Sequence, residues 1–350
     1  MTSRERMKSL FIGKRPDRVP VIPMAMSFTA KAMGVPLLEF YTNMRLCFDT
    51  QVEAAKKFGY DGNPTYGMAC FGGYEFGGEI EFPVNERIMS PTVRRHPIET
   101  PQDVDRIAMP DPRTAGIMPL LYEFGHICVE HGISANFVCG SPFSMAANCV
   151  YAETFMLWLI DCPEVVHTLM RKTSDFCLAL SEAFIQEFGA RAAAGFFSTF
   201  DANSLISPDQ FREFAFPYAR EVNQKVLDMG VRSMFVHLCG NHMRNLPMWA
   251  EVPFGNPGVI SLGDENDLTY AKEVLGKQHI IAGNINTAVL MQETPEKVEE
   301  ACRRALEKAK DAPRGYVVMP SCELPPATPI ENLEAMLHAA RTYGRYGGER

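Results

Sequence analysis

The chain has 350 residues, 46% of them hydrophobic, and a formal net charge of −8, which allows a sizeable core and argues against a nucleic-acid or anionic-membrane surface. The opening Met1-Thr-Ser-Arg-Glu-Arg-Met-Lys8 has no apolar signal core, and no apolar run approaches the ~20 residues of a membrane span, so a cytoplasmic location without a membrane contact is expected. Ten scattered cysteines are expected to be mostly free thiols in a reducing compartment, and the twenty methionines mostly core filler.

Short apolar runs alternate with long amphipathic ones, the βαβα pattern of a parallel α/β sheet. In chain order the predicted strands are Arg18–Met24, Tyr60–Thr65, Ala135–Gly140, Ala193–Phe200, Ser233–Cys239, Val259–Gly263, His279–Asn284 and Tyr316–Pro320. Eight such strands close a (β/α)8 TIM barrel, and one barrel domain over residues 1–350 is expected. Between them, Gly59 is placed to end the helix that runs through Ala54–Phe58. Ser207-Pro-Asp-Gln210 and Thr328-Pro-Ile-Glu331 read as helix starts with an N-cap, a first-turn proline and a residue that reaches back; Thr100-Pro-Gln-Asp103 and Thr294-Pro-Glu-Lys297 are weaker versions. After Thr328, the apolar positions Ile330, Leu333, Met336, Leu337 and Ala340 share one helical face. The ~70 residues between the second and third strands exceed an ordinary crossover. Their stretch from Gly72 to Arg95 is expected to form a hairpin insertion, either over the barrel mouth or as a surface excursion.

In a barrel the chemistry sits at the C-terminal ends of the strands. Val236-His237-Leu238-Cys239-Gly240 ends the fifth, and residues two apart on a strand face the same way. By itself this His-x-Cys pair is weak, because eight histidines and ten cysteines produce such pairs by chance; its place at a strand end strengthens it. Cys322, at the end of the eighth strand, adds a third soft donor. One histidine and two thiolates form a three-ligand zinc set with a fourth position open for water or substrate, with Glu265 or Asp264 as the best candidates for a weak protein ligand there. The alternative is three unrelated core residues. A thiol entering the open position would lose its proton, which favours thiol alkylation. Hydrolysis, with Glu323, Asp264 or Glu265 as general base, is the competing reaction.

Several segments carry a family resemblance along nearly the whole chain. They are Arg18-Val-Pro-Val-Ile-Pro23, Glu53-Ala-Ala-Lys-Lys-Phe-Gly-Tyr-Asp61, Gly140-Ser-Pro-Phe-Ser144, Ile206-Ser-Pro208, Phe214 with Pro217-Tyr218, Gly283-Asn284-Ile285 and Cys322-Glu-Leu-Pro-Pro-Ala-Thr-Pro-Ile-Glu-Asn-Leu333. Together they resemble the uroporphyrinogen decarboxylase superfamily, on its branch of methylcobamide:coenzyme M methyltransferases. That branch has His-x-Cys on the fifth strand and a cysteine on the last turn, matched here by His237, Cys239 and Cys322. Cobalamin-independent methionine synthase, a distant relative, has a comparable set. The resemblance implies a zinc-activated thiol that takes a methyl group from the cobalt of a separate corrinoid protein acting in trans. The decarboxylase branch differs at four places. Its arginine-rich segment after the first strand is Pro23–Lys31 here, with one lysine and no arginine. Its strand-two aspartate falls on Met68, its tyrosine after the Gly-x-Pro turn on Asn148, and its last-turn histidine on Cys322.

Asn284, Asp201, Ser141 and Tyr66 are candidate substrate-binding residues; for Asn284 and Asp201 a capping or loop-fixing role is equally open. Asp61 is expected to tether a strand end, His242 to be an exposed helix-start residue, and Cys139 to point near the site with no predicted contact. Three functions remain in view: a zinc-dependent, corrinoid-linked methyltransferase acting on a small thiol such as coenzyme M, a uroporphyrinogen decarboxylase, and a non-catalytic zinc or corrinoid-protein binding module. Whether the acceptor is coenzyme M, another thiol or tetrahydrofolate is left open, as are the upstream donor and the oligomeric state.

Overall fold

Eight strands are defined among residues 1–84 and 90–347, the part of the chain that the computed structural model describes. They are β1 (Glu79–Glu81), β2 (Thr92–Arg95), β3 (Asn136–Val138), β4 (Ala193–Ser198), β5 (Met234–Leu238), β6 (Val259–Leu262), β7 (Ile280–Ile285) and β8 (Tyr316–Pro320). Six of these, β3 to β8, lie where the alternation of apolar runs placed them. Contacts divide the chain into two units: Met1–Thr65 with His237–Leu246 and Asn256–Arg350, and Tyr66–Val236 with Pro247–Gly255. Among the described residues no single helix is long and apolar enough to cross a membrane, and all ten cysteines are free thiols.

In the first unit β6 pairs in parallel with β7, and β7 with β8. The two expected N-terminal strands are present only as extended segments. Val21 makes an isolated parallel bridge to Val318, with Ile22 N donating to Val318 O at 3.0 Å and Val318 N to Pro20 O at 2.9 Å; Asp61 N donates to Val21 O at 2.7 Å. Pro20 and Pro23 lack the amide hydrogens that would extend this ladder, and Pro64 limits the second segment likewise. Asp61 does tether a strand end: its carboxylate accepts from Arg6 Nη1 (2.5 Å), Arg18 Nη1 (2.9 Å) and Val21 N (2.9 Å).

Several helices of this unit follow local signals, and the last one departs from them. Met44–Phe58 starts where Asn43 accepts from Leu46 N at 3.0 Å, and it stops at Gly59, whose φ of 75° suits a residue without a Cβ. Pro295–Ala309 buries Val298, Cys302, Ala305, Leu306 and Ala309 and packs on Ile330–Thr342, which buries Leu333, Met336, Leu337 and Ala340. Each fully buried Leu or Met contributes about 1.5–3 kcal/mol of apolar transfer. The departure is at Thr328. Pro329, not Thr328, is the cap residue of the last helix, no side chain caps it, and the Thr328 hydroxyl is buried without a hydrogen-bonding group. The proline-rich approach Leu324-Pro-Pro-Ala-Thr-Pro329 has shifted the helix start one residue later than the local motif implied.

In the second unit β3 pairs in parallel with β4, and β1 pairs antiparallel with β2. That pair is the expected hairpin insertion; residues 85–89 lie outside the described residues. The core is aromatic, with Phe137 stacked on Phe184 at 4.7 Å, Phe188 tilted against Phe184 at 4.5 Å, and Trp249 5.0 Å from Phe211. Ser207 and Gln210 form the expected reciprocal cap, at 3.2 and 2.9 Å. Asp103 accepts from Thr100 N and Oγ1, both at 2.8 Å, making this start firmer than its sequence implied.

Candidate metal centre

β5 carries His237 near its end, with Cys239 immediately beyond it. The strand's period of two turns both side chains to one face, and Gly240, at φ 77°, turns the chain away just after them. Here a side chain is also excluded: a Cβ on Gly263 would lie 2.7 Å from the Gly240 nitrogen and oxygen. Cys322 follows β8 by two residues. The three donor atoms of His237, Cys239 and Cys322 lie within 4.8 Å of one another, all in the first unit. His237 is 2% exposed, and its Nδ1 is 3.1 Å from the Ser261 hydroxyl on β6. That contact orients the ring and leaves Nε2 as the nitrogen for an ion.

The electrostatics concentrate on Cys322. A hydrogen bond from the Cys239 thiol, and then the imidazole of His237, bring its thiol down to about 4 against the opposing effect of burial. Such a lowering favours the thiolate, the form that binds a metal ion. The next residue behaves oppositely. Burial pushes the Glu323 carboxyl up to about 7, although Ser27 N (3.0 Å) and Ser27 Oγ (2.8 Å) both donate to its Oε1.

His242 was expected to be exposed. It is fully buried, and desolvation lowers it to about 3, so the ring is neutral at physiological pH. Its Nε2 lies 3.1 Å from Cys239 O, and its backbone N donates to Asn266 Oδ1 at 2.8 Å. Asn266 escaped the sequence reading. Its Nδ2 donates to Gly240 O (2.7 Å) and Gly263 O (2.9 Å), clamping the loops after β5 and β6 together. The one available signal was an amide residue just past a strand end, next to two acids that drew the attention instead.

Asn284 also serves this framework, donating from Nδ2 to Gly263 O (3.1 Å) and Asn266 O (2.7 Å). Neither Asp264 nor Glu265 joins the three-donor cluster. Both are exposed, and Asp264 accepts from Asn286. The remaining candidates belong to the second unit. Asp201 is buried, accepts from Ser198 Oγ, and is raised to about 6 by burial. Ser141 caps the helix Pro142–Cys149 by accepting from Ser144 N at 3.4 Å. Tyr66 is buried with its ring 5.7 Å from that of Phe124. The Cys139 thiol donates to Gly195 O at 3.1 Å and is pushed up to about 12 by burial, so it is an inert structural thiol. Asn148 donates from Nδ2 to Ala69 O (2.9 Å) and Phe71 O (3.0 Å), and Met68 is buried.

Comparison with known proteins adds to this geometry. The family model described as uroporphyrinogen decarboxylase (URO-D) matches residues 2–343. The uroporphyrinogen decarboxylase of Coxiella burnetii is 26% identical over 274 residues, 73% of this chain and 72% of that protein. The methylcobamide:CoM methyltransferase MtaA of Methanosarcina barkeri is 25% identical over 351 residues, 98% of each chain. Among solved structures, a methyltransferase from Methanosarcina mazei superimposes with a TM-score of 0.80 at 23% identity, covering 97% of this chain and 98% of its own. At that identity the likeness speaks for the fold, which is the α/β TIM barrel expected from the sequence.

Proposed function

Because the chain belongs to the uroporphyrinogen decarboxylase family, we propose that it is one of that family's methyltransferases: a cytoplasmic, zinc-dependent enzyme that moves a methyl group from a methylated corrinoid protein, acting in trans, to a small thiol resembling coenzyme M. One observation carries the reading, the convergence of His237, Cys239 and Cys322 within 4.8 Å. The donor set fits zinc. Bond lengths of ~2.0–2.3 Å around a tetrahedral ion put its donors roughly 3.3–3.8 Å apart, so small side-chain rotations close the site. Alignment with the M. barkeri methyltransferase along 98% of both chains supports the same branch. So does the absence of arginine between Pro23 and Lys31, since a porphyrinogen carries eight carboxylates for cations to meet.

When bound, zinc would supply the positive charge that strips the proton from a substrate thiol and keeps its sulfur reactive at neutral pH. The chain's own residues set the conditions. Cys239 and Cys322 would contribute two negative charges, and the hydrogen bond from Cys239 holds the Cys322 thiol well below its usual range. His237 contributes a neutral nitrogen, held in orientation by Ser261. Asn266 and Asn284 tie the loops after β5 and β6 to one another and to β7, which supports a fixed frame around the three donors. Asn284, Asp201, Ser141 and Tyr66 stand as the substrate-binding candidates.

The test is metal analysis of the purified protein followed by turnover. One zinc per chain, and thioether formation from methylcobalamin and coenzyme M, are expected. A second thiol and tetrahydrofolate, offered separately, identify the acceptor. Zinc without turnover on any acceptor would make the chain a binding module. Absence of metal after reconstitution, with release of carbon dioxide from uroporphyrinogen, would replace this reading by decarboxylation.

A further inference from the structure

We infer that Ser27 is a positioning residue for Cys322, acting through Glu323; this rests on reading His237, Cys239 and Cys322 as one metal centre. Cys322 lies on the turn past β8, the only residue between two sets of anchoring bonds. On its N-terminal side Ser321 N donates to Ile285 O at 2.7 Å. On its C-terminal side, Leu324 N donates to Met24 O at 3.0 Å, while Ser27 sends both its backbone N (3.0 Å) and its hydroxyl (2.8 Å) to one oxygen of Glu323. Three bonds thus tie the residues after Cys322 to a segment almost 300 positions away in sequence.

Two further features show that this tie is specific. Ser27 is fully buried, so its hydroxyl has no water to choose over the carboxylate. Met24 holds a φ of +46°, in the left-handed region that a non-glycine side chain rarely adopts. Such a conformation persists only where the surroundings impose it, and here it accompanies the bond from Leu324 N to the Met24 carbonyl. The Met24–Ser27 segment thereby sets the backbone on which the Cys322 sulfur approaches Cys239 and His237. A simpler role for Glu323, capping the short helix Met26–Ala32, would affect stability and leave the three donors where they are.

The experiment separates the two. Co2+ and Zn2+ affinities are measured by chelator competition for the full-length protein and its variants, with thiolate-to-cobalt absorbance as a count of bound sulfurs. Contacts that orient a ligand typically account for 10–100-fold in metal affinity. Ser27→Ala, which removes one of the two Ser27 donors, should weaken binding about 10-fold, and Glu323→Ala, which removes the acceptor, up to about 100-fold. Both should lose about half of the charge-transfer absorbance, as two thiolates become one. Glu323→Gln keeps an acceptor oxygen and should stay within about threefold of wild type. The same variants, metal-free, are treated with phenylarsine oxide, which bridges two neighbouring thiols, and the bridged pair is mapped by mass spectrometry. Wild type and Glu323→Gln should be bridged between Cys239 and Cys322, and Ser27→Ala at least several-fold more slowly. Wild-type affinity, absorbance and bridging in folded Ser27→Ala and Glu323→Ala would overturn the inference. If wild type is bridged by the arsenical but binds neither metal, the zinc reading fails and the arsenical series alone decides the role of Ser27. If wild type responds to neither probe, the three residues form no centre and both fall.

Discussion

Removing the Asp61 carboxylate should cost the fold about 3 kcal/mol, and the cost should reside in Arg18. Asp61 is 2% exposed; its oxygens meet Arg6 and Arg18, whose side chains are 7% and 12% exposed, and the Val21 amide. In Asp61→Ala, Arg6 keeps Asp17, with contacts of 2.7 and 2.9 Å. Among the described residues the Arg18 side chain keeps one hydrogen bond, to the Val19 carbonyl at 2.9 Å, and the more distant charge of Asp17. Burial already lowers the Arg18 pKa, and the charge of Asp61 opposes this. Truncating one member of a buried ion pair costs about 3–5 kcal/mol because the other charge stays behind; the partial exposure of Arg18 places this case at the lower end. Urea unfolding should therefore show a lower midpoint with an unchanged slope. The double variant Asp61→Ala, Arg18→Met removes the stranded charge and should recover more than half of the loss. A single-variant loss below about 1 kcal/mol, or no recovery in the double variant, would refute this placement of the cost.

Ser261→Ala removes the hydroxyl that orients His237, and zinc affinity by chelator competition should fall about 10-fold with the fold intact. Cys239→Ser should abolish nearly all methyl transfer from methylcobalamin to thiol while the circular dichroism spectrum is retained, with zinc content distinguishing a lost ion from a bound but less reactive centre; full activity in the Cys239→Ser, Cys322→Ser double variant would contradict the mechanism. Glu75 is buried, accepting from Gly72 N (2.6 Å) and Ile117 N (3.2 Å), and burial raises it from 4.5 to about 7. The folded state therefore keeps a proton that the unfolded chain releases. The associated stability is complete below pH ~4.5 and is lost by pH ~7, amounting to roughly 3 kcal/mol at 1.36 kcal/mol per pH unit. Relative to Glu75→Gln, wild type should thus weaken between pH 5 and pH 8 in urea midpoints; parallel curves for the two proteins would show that Glu75 does not titrate there.

Local order was legible wherever neighbours in sequence decide it. The alternation of apolar runs located β3 to β8, Gly59 marked a helix end because only a residue without a Cβ sits easily at its φ, and Ser207 with Gln210 formed the expected cap. His237 and Cys239 could be put on one face from spacing alone, since a strand repeats every two residues. Contacts across the fold decided the rest. Cys322 reaches the pair only because β8 and β5 end in the same place within one unit, and Ser27 holds its turn from the far end of the chain. His242 reads as an exposed helix-start residue, yet it is buried by packing that no local pattern encodes; Asp264 and Glu265, candidates for a weak fourth ligand, are exposed and lie outside the group of three donors. Propensity, capping and strand period act over a few bonds and can be read along the chain. Desolvation, hydrogen-bond satisfaction and the meeting of donor atoms depend on which distant groups arrive at the same point, and that is settled only when the chain has folded.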